Sequence, residues 1–399
     1  MRRRLHAIAL AALFVFWAVA AQALTISGRV LDEAGHGLAG AVISDEIGAV
    51  ASGKDGAFKL LTEPGRLMSI SAPAAYTAPA KWWWPVREGA GQLSLRVHNK
   101  QSAVAPQVAF IADPHLFAEK CGPVKYPVPP EIAKRPMDTW NRVAGELGKL
   151  GPALTIVAGD LCSDADKGDE SHAEAQMALA AQAMARLPGP ARAIPGNHDV
   201  RYKDGRVDEA LWRKYLGPVR QVFFLRGAAF ILLDNLGLSL SSKGAPISCG
   251  DLPDEAISWV QQILPLIPPD HAIYVVSHYP PLTPISGSNP LHKRSLVRSQ
   301  RSQGLALRNT DQNFLALAAL LAQRKLAGFI HGHEHAAHKS VILGRKPFWV
   351  IGLPALCSGW WQGDRRWGPF GFPSAYTLLR LREAPSQEGP DLRLIEVKY

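Results

Sequence analysis

The sequence predicts a layered α/β domain preceded by a small all-β sandwich and followed by a short β-rich tail. Three observations carry that reading. Between residues 24 and 99, short apolar runs are separated by Gly- and Asp-containing turns about 8 to 12 residues apart, with no helical period, as in a small sandwich. From Val108 onward, apolar β-type runs that each end in a polar cluster alternate with helical stretches, which implies buried strands covered by helices. From about residue 349, strand-like segments return in FWVIGLPALCSGWWQGD, GPFGFPSAYTLLRLRE and LRLIEVKY, and these are expected to pack on the main domain.

A chain of 399 residues accommodates one large domain and one or two small ones, and 47% hydrophobic with 20% charged residues argues for ordered structure. The expected divisions are 1–23, 24–100, 104–350 and 351–399. Residues 1–23 read as a secretory signal, with Arg2 to Arg4 basic, Ala7 to Ala20 apolar, and Ala21-Gln22-Ala23 as a small-x-small cleavage site. An uncleaved membrane anchor is the competing reading, but about 14 apolar residues fall short of the roughly 20 that span a bilayer. The expectation is cleavage after Ala23, a periplasmic or secreted protein, and no transmembrane segment thereafter.

Loss of the three arginines lowers the formal charge from +10 to +7. That excess favours anionic substrates through a general field. It lacks the long Lys/Arg tract or interleaved aromatics of a nucleic-acid binder, so no obligate nucleic-acid partner is expected. Cys121, Cys162, Cys249 and Cys357 are scattered without C-x-x-C spacing, which disfavours a zinc knuckle. An exported chain admits one or two disulfides among them, in pairings the sequence leaves open. It also leaves the oligomeric state open.

In the central region VAFIADPH, ALTIVAGD, ARAIPGNHD, AIYVVSHYPP and LAGFIHGHEH are each an apolar strand running into His, Asp or Asn. Helices are expected near 135–150, 172–187, 252–264 and 310–325. In the last, Phe314, Leu317, Ala318 and Leu321 mark one buried face, and Thr310 is placed to cap the start. In such folds sites collect at the carboxyl ends of strands, where all five polar clusters sit.

Those clusters supply the mixed oxygen and nitrogen donors that a divalent cation such as Mn, Fe or Zn accepts. Asp113-Pro-His115 places two donors two residues apart, on one side if the chain stays extended. Gly159-Asp160 follows, with glycine permitting a tight turn that brings a carboxylate to a loop tip. Gly196-Asn197-His198-Asp199, His278 and Gly332-His333-Glu334-His335 complete the series. A lone D-x-H or G-D is common by chance, but five pieces in this order, each ending a strand, agree in motif and context.

These residues resemble the calcineurin-like metallophosphoesterase superfamily, with its pattern D-x-H, G-D, G-N-H-D/E, H and G-H-x-H, over about 104–354. The N-terminal segment, through Gly28-Arg-Val, Gly40-Ala-Val-Ile-Ser-Asp45 and Lys54-Asp-Gly-Ala-Phe58, resembles the transthyretin-like sandwich of such phosphoesterases. The resemblance implies a layered αββα catalytic domain and two divalent metal ions. It implies one ion held by Asp113, His115, Asp160 and His335, and a second by Asp160, Asn197, His278 and His333. Asp160 is then the bridge, and His198 contacts the scissile phosphate without binding metal. Two such cations lower the pKa of a bridging water to near neutrality and bind phosphate oxygens, so hydroxide can attack phosphorus in line. His198 is expected to stabilise the developing charge or protonate the leaving alkoxide, with Asp199 either orienting its ring or serving as a loop carboxylate.

The expected function is hydrolysis of a small-molecule or envelope phosphate mono- or diester. A catalytically inactive, glycan-binding envelope adhesion protein on the same scaffold is the alternative, and none of the seven ligands is degenerate as that reading requires. A purple acid phosphatase would carry a tyrosine three residues after the G-D aspartate, where this chain has Ser163. His331 and His338 are expected outside the two ligand sets, Asp164 to order its loop or face water, and Cys162 to be a buried or disulfide thiol. The segment 282–309, with Lys293, Arg294, Arg298, Arg301 and Arg308, reads as an active-site lid with a phosphate clamp or as a solvated basic loop. Trp82 to Trp84, and Trp360 with Trp361, read as boundary packing or as stacking platforms. Phe370-Gly-Phe-Pro-Ser-Ala-Tyr376 departs from the family's tail pattern.

Overall fold

The computed structural model describes residues 23–87, 92–99, 106–117, 135–241, 244–282, 296–298, 305–343, 346–357, 374–381 and 389–397. The signal segment, Cys121, the middle of the basic loop with Lys293, Arg294 and Arg301, and the Trp360–Trp361 loop lie outside the described residues.

Two sheets face each other in the central region. Their strands in chain order are β1 (Gln107–Ile111), β2 (Leu154–Ala158), β3 (Ala191–Ile194), β4 (Gln221–Leu225), β5 (Ala228–Leu232), β6 (Ala272–Ser277), β7 (Leu326–His331), β8 (His338–Ile342), β9 (Phe348–Gly352), β10 (Ala375–Arg380) and β11 (Asp391–Glu396). The first sheet runs β3-β2-β1-β10-β11, and the second β4-β5-β6-β7-β9-β8. The parallel pairs β1/β2, β2/β3, β5/β6, β6/β7 and β7/β9 come from the apolar runs. Strands buried on both faces need no alternation, so they read as continuous Val, Ile and Ala.

Phe110, Ile156, Ile194, Phe230, Val276, Ile330 and Ile351 fill the space between the sheets. Helices α1 (Arg135–Leu150) and α2 (Glu170–Met184) cover the outer face of the first sheet through Trp140, Val143, Leu147 and Met177. After the short α3 (Ala210–Tyr215), α4 (Asp254–Ile263) and α5 (Phe314–Leu321) cover the second sheet through Trp259, Ile263, Phe314, Leu317 and Leu321. The order is therefore helix, sheet, sheet, helix. Helix α5 starts later than the 310–325 expectation. Thr310 donates its hydroxyl to Leu307 O, and Asp311 instead collects the backbone N–H groups of Leu252 and Asn313. The tail strands β10 and β11 complete the first sheet, pairing antiparallel on β1.

The N-terminal region forms a three-stranded sheet (Ala57–Thr62, Leu24–Leu31, Gln92–Arg96) and a four-stranded one (Ala49–Ala51, Val42–Ser44, Leu67–Ser71, Trp83–Pro85), enclosing Ile26, Val30, Ile43, Phe58, Leu60 and Met68. It docks on the second sheet. Trp259 Nε1 donates to Ser44 Oγ at 2.8 Å, and Glu46 accepts the backbone N–H groups of Val219 and Arg220. Two tryptophans pack elsewhere on the central region: Arg192 of β3 lies 3.8 Å over the Trp82 ring, and a Cβ on Gly217 would fall 2.6 Å from Trp83 Nε1. Cys162, Cys249 and Cys357 are buried free thiols, so no disulfide joins any of these three.

Candidate metal centre

Five strand ends deliver the expected donors to one place. Asp113 and His115 follow β1, Asp160 follows β2, Asn197 follows β3, His278 follows β6, and His333 and His335 follow β7. The pleat of an extended strand does not bring Asp113 and His115 together, as the sequence suggested. Both lie beyond β1 with φ of 50° and 46°, and Asp160, His333 and His335 are also left-handed, at 52°, 68° and 55°. Seven described non-glycine residues have positive φ, and five of them are these donors. Each costs about 1–2 kcal/mol in an L-residue, so the surrounding packing holds strain where the side chains must converge.

Glycines clear the space. A Cβ on Gly196 would stand 2.2 Å from Asp160 Oδ1, one on Gly332 would stand 2.7 Å from Asp113 Oδ2, and one on Gly159 would stand 2.4 Å from His278 Nδ1. Asp160 occupies the centre. Its Oδ1 accepts the His198 backbone N–H at 2.9 Å, while Oδ2 lies 3.8 Å from His115 Nε2 and 3.3 Å from His278 Nε2. On one side His335 Nε2 is 3.3 Å from Asp113 Oδ1 and 3.1 Å from His115 Nε2. On the other, His278 Nε2 is 3.2 Å from Asn197 Oδ1, and the His333 ring centroid is 5.1 Å from that of His278. The donor atoms of Asp113, His115, Asp160 and His335 lie within 4.8 Å of one another, as do those of Asp160, His278 and His333.

Burial alone would raise the Asp160 carboxyl, but His278, His198 and His115 hold it well below the ordinary carboxylate range. Burial opposes the charge on His278, yet Asp160 carries it up to about 9, and Asp113 likewise overrides burial at His335. Burial dominates at His115, which falls well below an ordinary imidazole. A divalent cation among the same atoms would take the place of the protons that Asp160 and Asp113 favour on His278 and His335. Buried carboxylate, amide and imidazole donors fit such an ion. His278 Nδ1 donates to Ala158 O at 2.9 Å, which leaves Nε2 turned to the centre.

His198 sits at the open edge, its side chain 23% exposed, with its ring centroid 5.2 Å from that of His115. The carboxylate hydrogen-bonded to its Nδ1 is Asp166, at 3.2 Å. Asp199 takes the other role: its oxygens accept the backbone N–H groups of Leu161, Cys162 and Gly196 and tie the G-D loop to the G-N-H-D loop. Asp164 orders its own loop through His172 Nε2 at 3.1 Å and Gln176 Nε2 at 2.7 Å. Arg308 donates Nε to Ser248 O at 2.8 Å and Nη2 to Ser248 Oγ at 3.1 Å. Ser163 is buried without a metal-facing phenol.

Two supporting residues escaped the sequence reading. No spacing marks Asp166. Asn235, whose Oδ1 accepts the N–H groups of His278 and Tyr279, follows β5 in the run FILLDN, one more apolar strand ending in a polar cluster.

Fold and site together define a four-layer α/β protein whose strand ends gather buried imidazole and carboxylate donors. Residues 106–337 match the calcineurin-like phosphoesterase family, and the chain belongs to that family. No curated protein matches it. Among solved structures it is similar to a dimetal phosphatase from Danio rerio (14% identity, 70% of this chain and 94% of that one, TM-score 0.44). It is also similar to TT1561 of Thermus thermophilus (13%, 74% and 100%, TM-score 0.40) and to a phosphopantetheinyl hydrolase from Mycobacterium tuberculosis (14%, 71% and 98%, TM-score 0.38). At these scores the likenesses carry no argument about activity.

Proposed function

We propose that the chain is an exported phosphoesterase that hydrolyses phosphate mono- or diesters with two divalent metal ions. One observation carries this reading: Asp160 belongs to both groups of converging donors. Asp113, His115, Asp160 and His335 would hold one ion, and Asp160, Asn197, His278 and His333 the other. Bound ions supply Lewis acidity toward phosphoryl oxygens and lower the pKa of water. His198 supplies the proton chemistry. Burial works against its charge, but Asp160 and Asp166 raise its pKa above the ordinary imidazole value. A protonated ring at the open edge can stabilise phosphoryl charge and donate to the leaving alkoxide, while Asp166 fixes the ring through Nδ1. Export is supported by the basic start, apolar stretch and Ala21-Gln22-Ala23. No helix among the described residues is long and apolar enough to cross a membrane.

Purified protein with added Mn is expected to hydrolyse a nitrophenyl phosphate mono- or diester, to stop on chelation and to recover on re-addition of metal. Turnover that survives exhaustive chelation would overturn the reading, and absence of bound metal after supplementation would favour the inactive glycan-binding alternative. His198→Ala is expected to lower kcat by about 10²–10⁴-fold with metal content unchanged. Asp166→Asn acts through that ring and should cost about 10–100-fold. Wild-type kcat in His198→Ala would remove the residue from the mechanism.

A further inference from the structure

The loop carrying His333 and His335 has a second set of donors that the centre above does not use. His331 closes β7 and is fully buried, and its Nδ1 donates to Gly332 O at 2.9 Å, leaving the Nε2 lone pair free to bind. That Nε2 faces His338 Nε2 at 3.2 Å. His338 opens β8, and its Nε2 lies 3.8 Å from Oε2 of Glu334, whose side chain is 1% exposed. The three donor atoms lie within 4.8 Å of one another.

The 3.2 Å and 3.8 Å separations bracket those of ligands around one small ion. Tetrahedral zinc with bonds of about 2.0–2.2 Å places its ligand atoms roughly 3.3–3.5 Å apart. The backbone also makes room for the ring. His338 pairs with Gly352 across β8 and β9, and a Cβ there would stand 2.2 Å from His338 Cδ2 and 2.5 Å from Nε2.

We infer that His331, Glu334 and His338 form a third cation site, separate from the binuclear centre, that takes a borderline divalent ion with zinc as the best match. Two imidazoles and one carboxylate suit zinc and leave one position for water. The site joins the end of β7 to the start of β8 and closes the base of the loop that presents His333 and His335. It works as a staple that keeps those two left-handed residues in place. Its existence does not depend on the proposed reaction.

The test is a count of bound metal. The wild-type chain is loaded with zinc, freed of excess by gel filtration and analysed by elemental mass spectrometry against protein concentration. Three equivalents are expected in the wild type, two in His338→Ala and in Glu334→Gln, and one in Asp160→Ala. Two equivalents in the wild type and none in Asp160→Ala would overturn the third site and leave the two-metal reading intact. One equivalent in both the wild type and Asp160→Ala, lost in His338→Ala, would support the third site and overturn the two-metal reading. A thermal melt shows which variants are folded, and Glu334→Gln replaces His338→Ala in the comparison if that variant does not fold. Cobalt loading of the wild type adds a second readout, since an imidazole-and-carboxylate tetrahedral site gives an intense visible band that His338→Ala should lose.

Discussion

Asp160→Ala is expected to lose phosphate-ester hydrolysis on the order of a thousandfold, the scale seen when a group that stabilises transition-state charge is removed. The size of the effect follows from where the carboxylate sits. One oxygen is held by the His198 amide and the other faces His115 and His278, so deletion strips a donor from both ligand groups at once. It also removes the charge that raises His278 and His198, leaving Asp113 as the one carboxylate beside His115, His278, His333 and His335 in the two donor groups. Asp160→Asn keeps the shape and one acceptor oxygen, and should retain more metal and more activity than the alanine variant. The measurement is kcat on a nitrophenyl ester at saturating Mn, beside metal content and a thermal melt to show that the chain is folded. Near-wild-type kcat in a folded Asp160→Ala protein would remove the shared carboxylate from the mechanism.

The fold was legible because strands buried on both faces read as unbroken apolar runs, and all five polar clusters mark their carboxyl ends. The candidate donors were equally visible, since residue type and order suffice to name them. Conformation was not. The left-handed backbone of Asp113, His115, Asp160, His333 and His335 is not marked by residue type, and the room for the Asp160 and Asp113 carboxylates comes from Gly196 and Gly332, which are distant from them in sequence. Asp166 was invisible for the same reason: only the folded loop brings it to the His198 ring. Adjacency misled at Asp199, whose carboxylate serves three backbone amides instead. Thr310 offered a cap by residue type, but the two amides that Asp311 gathers fix a later helix start. The tail read as strands, yet nothing in LRLIEVKY says that it pairs with Ala375–Arg380 at the edge of the first sheet.

Arg220→Met is expected to cost about 3–5 kcal/mol of stability, because it breaks a buried ion network by removing one partner. Arg220 donates Nε to Asp234 Oδ1 at 2.7 Å and Nη2 to Asp234 Oδ2 at 3.2 Å, with side chains only 9% and 3% exposed. Its Nη1 reaches the backbone oxygen of Glu46, whose own carboxylate pairs with Arg213. Arg213 also holds Glu209, which burial pushes up to about 8. Two buried acids and the partly buried Glu209 therefore depend on two guanidiniums, and loss of Arg220 leaves Asp234 without its bidentate partner at the junction between the N-terminal strands and the second sheet. For a chain of this length that loss lowers the melting midpoint by roughly 4–6 °C. The double variant Arg220→Met with Asp234→Leu should be more stable than Arg220→Met alone, since replacing both charges by apolar groups removes the stranded carboxylate. A single variant that melts within about 1 °C of wild type, or a double variant less stable than the single, would show that the network does not hold this junction together.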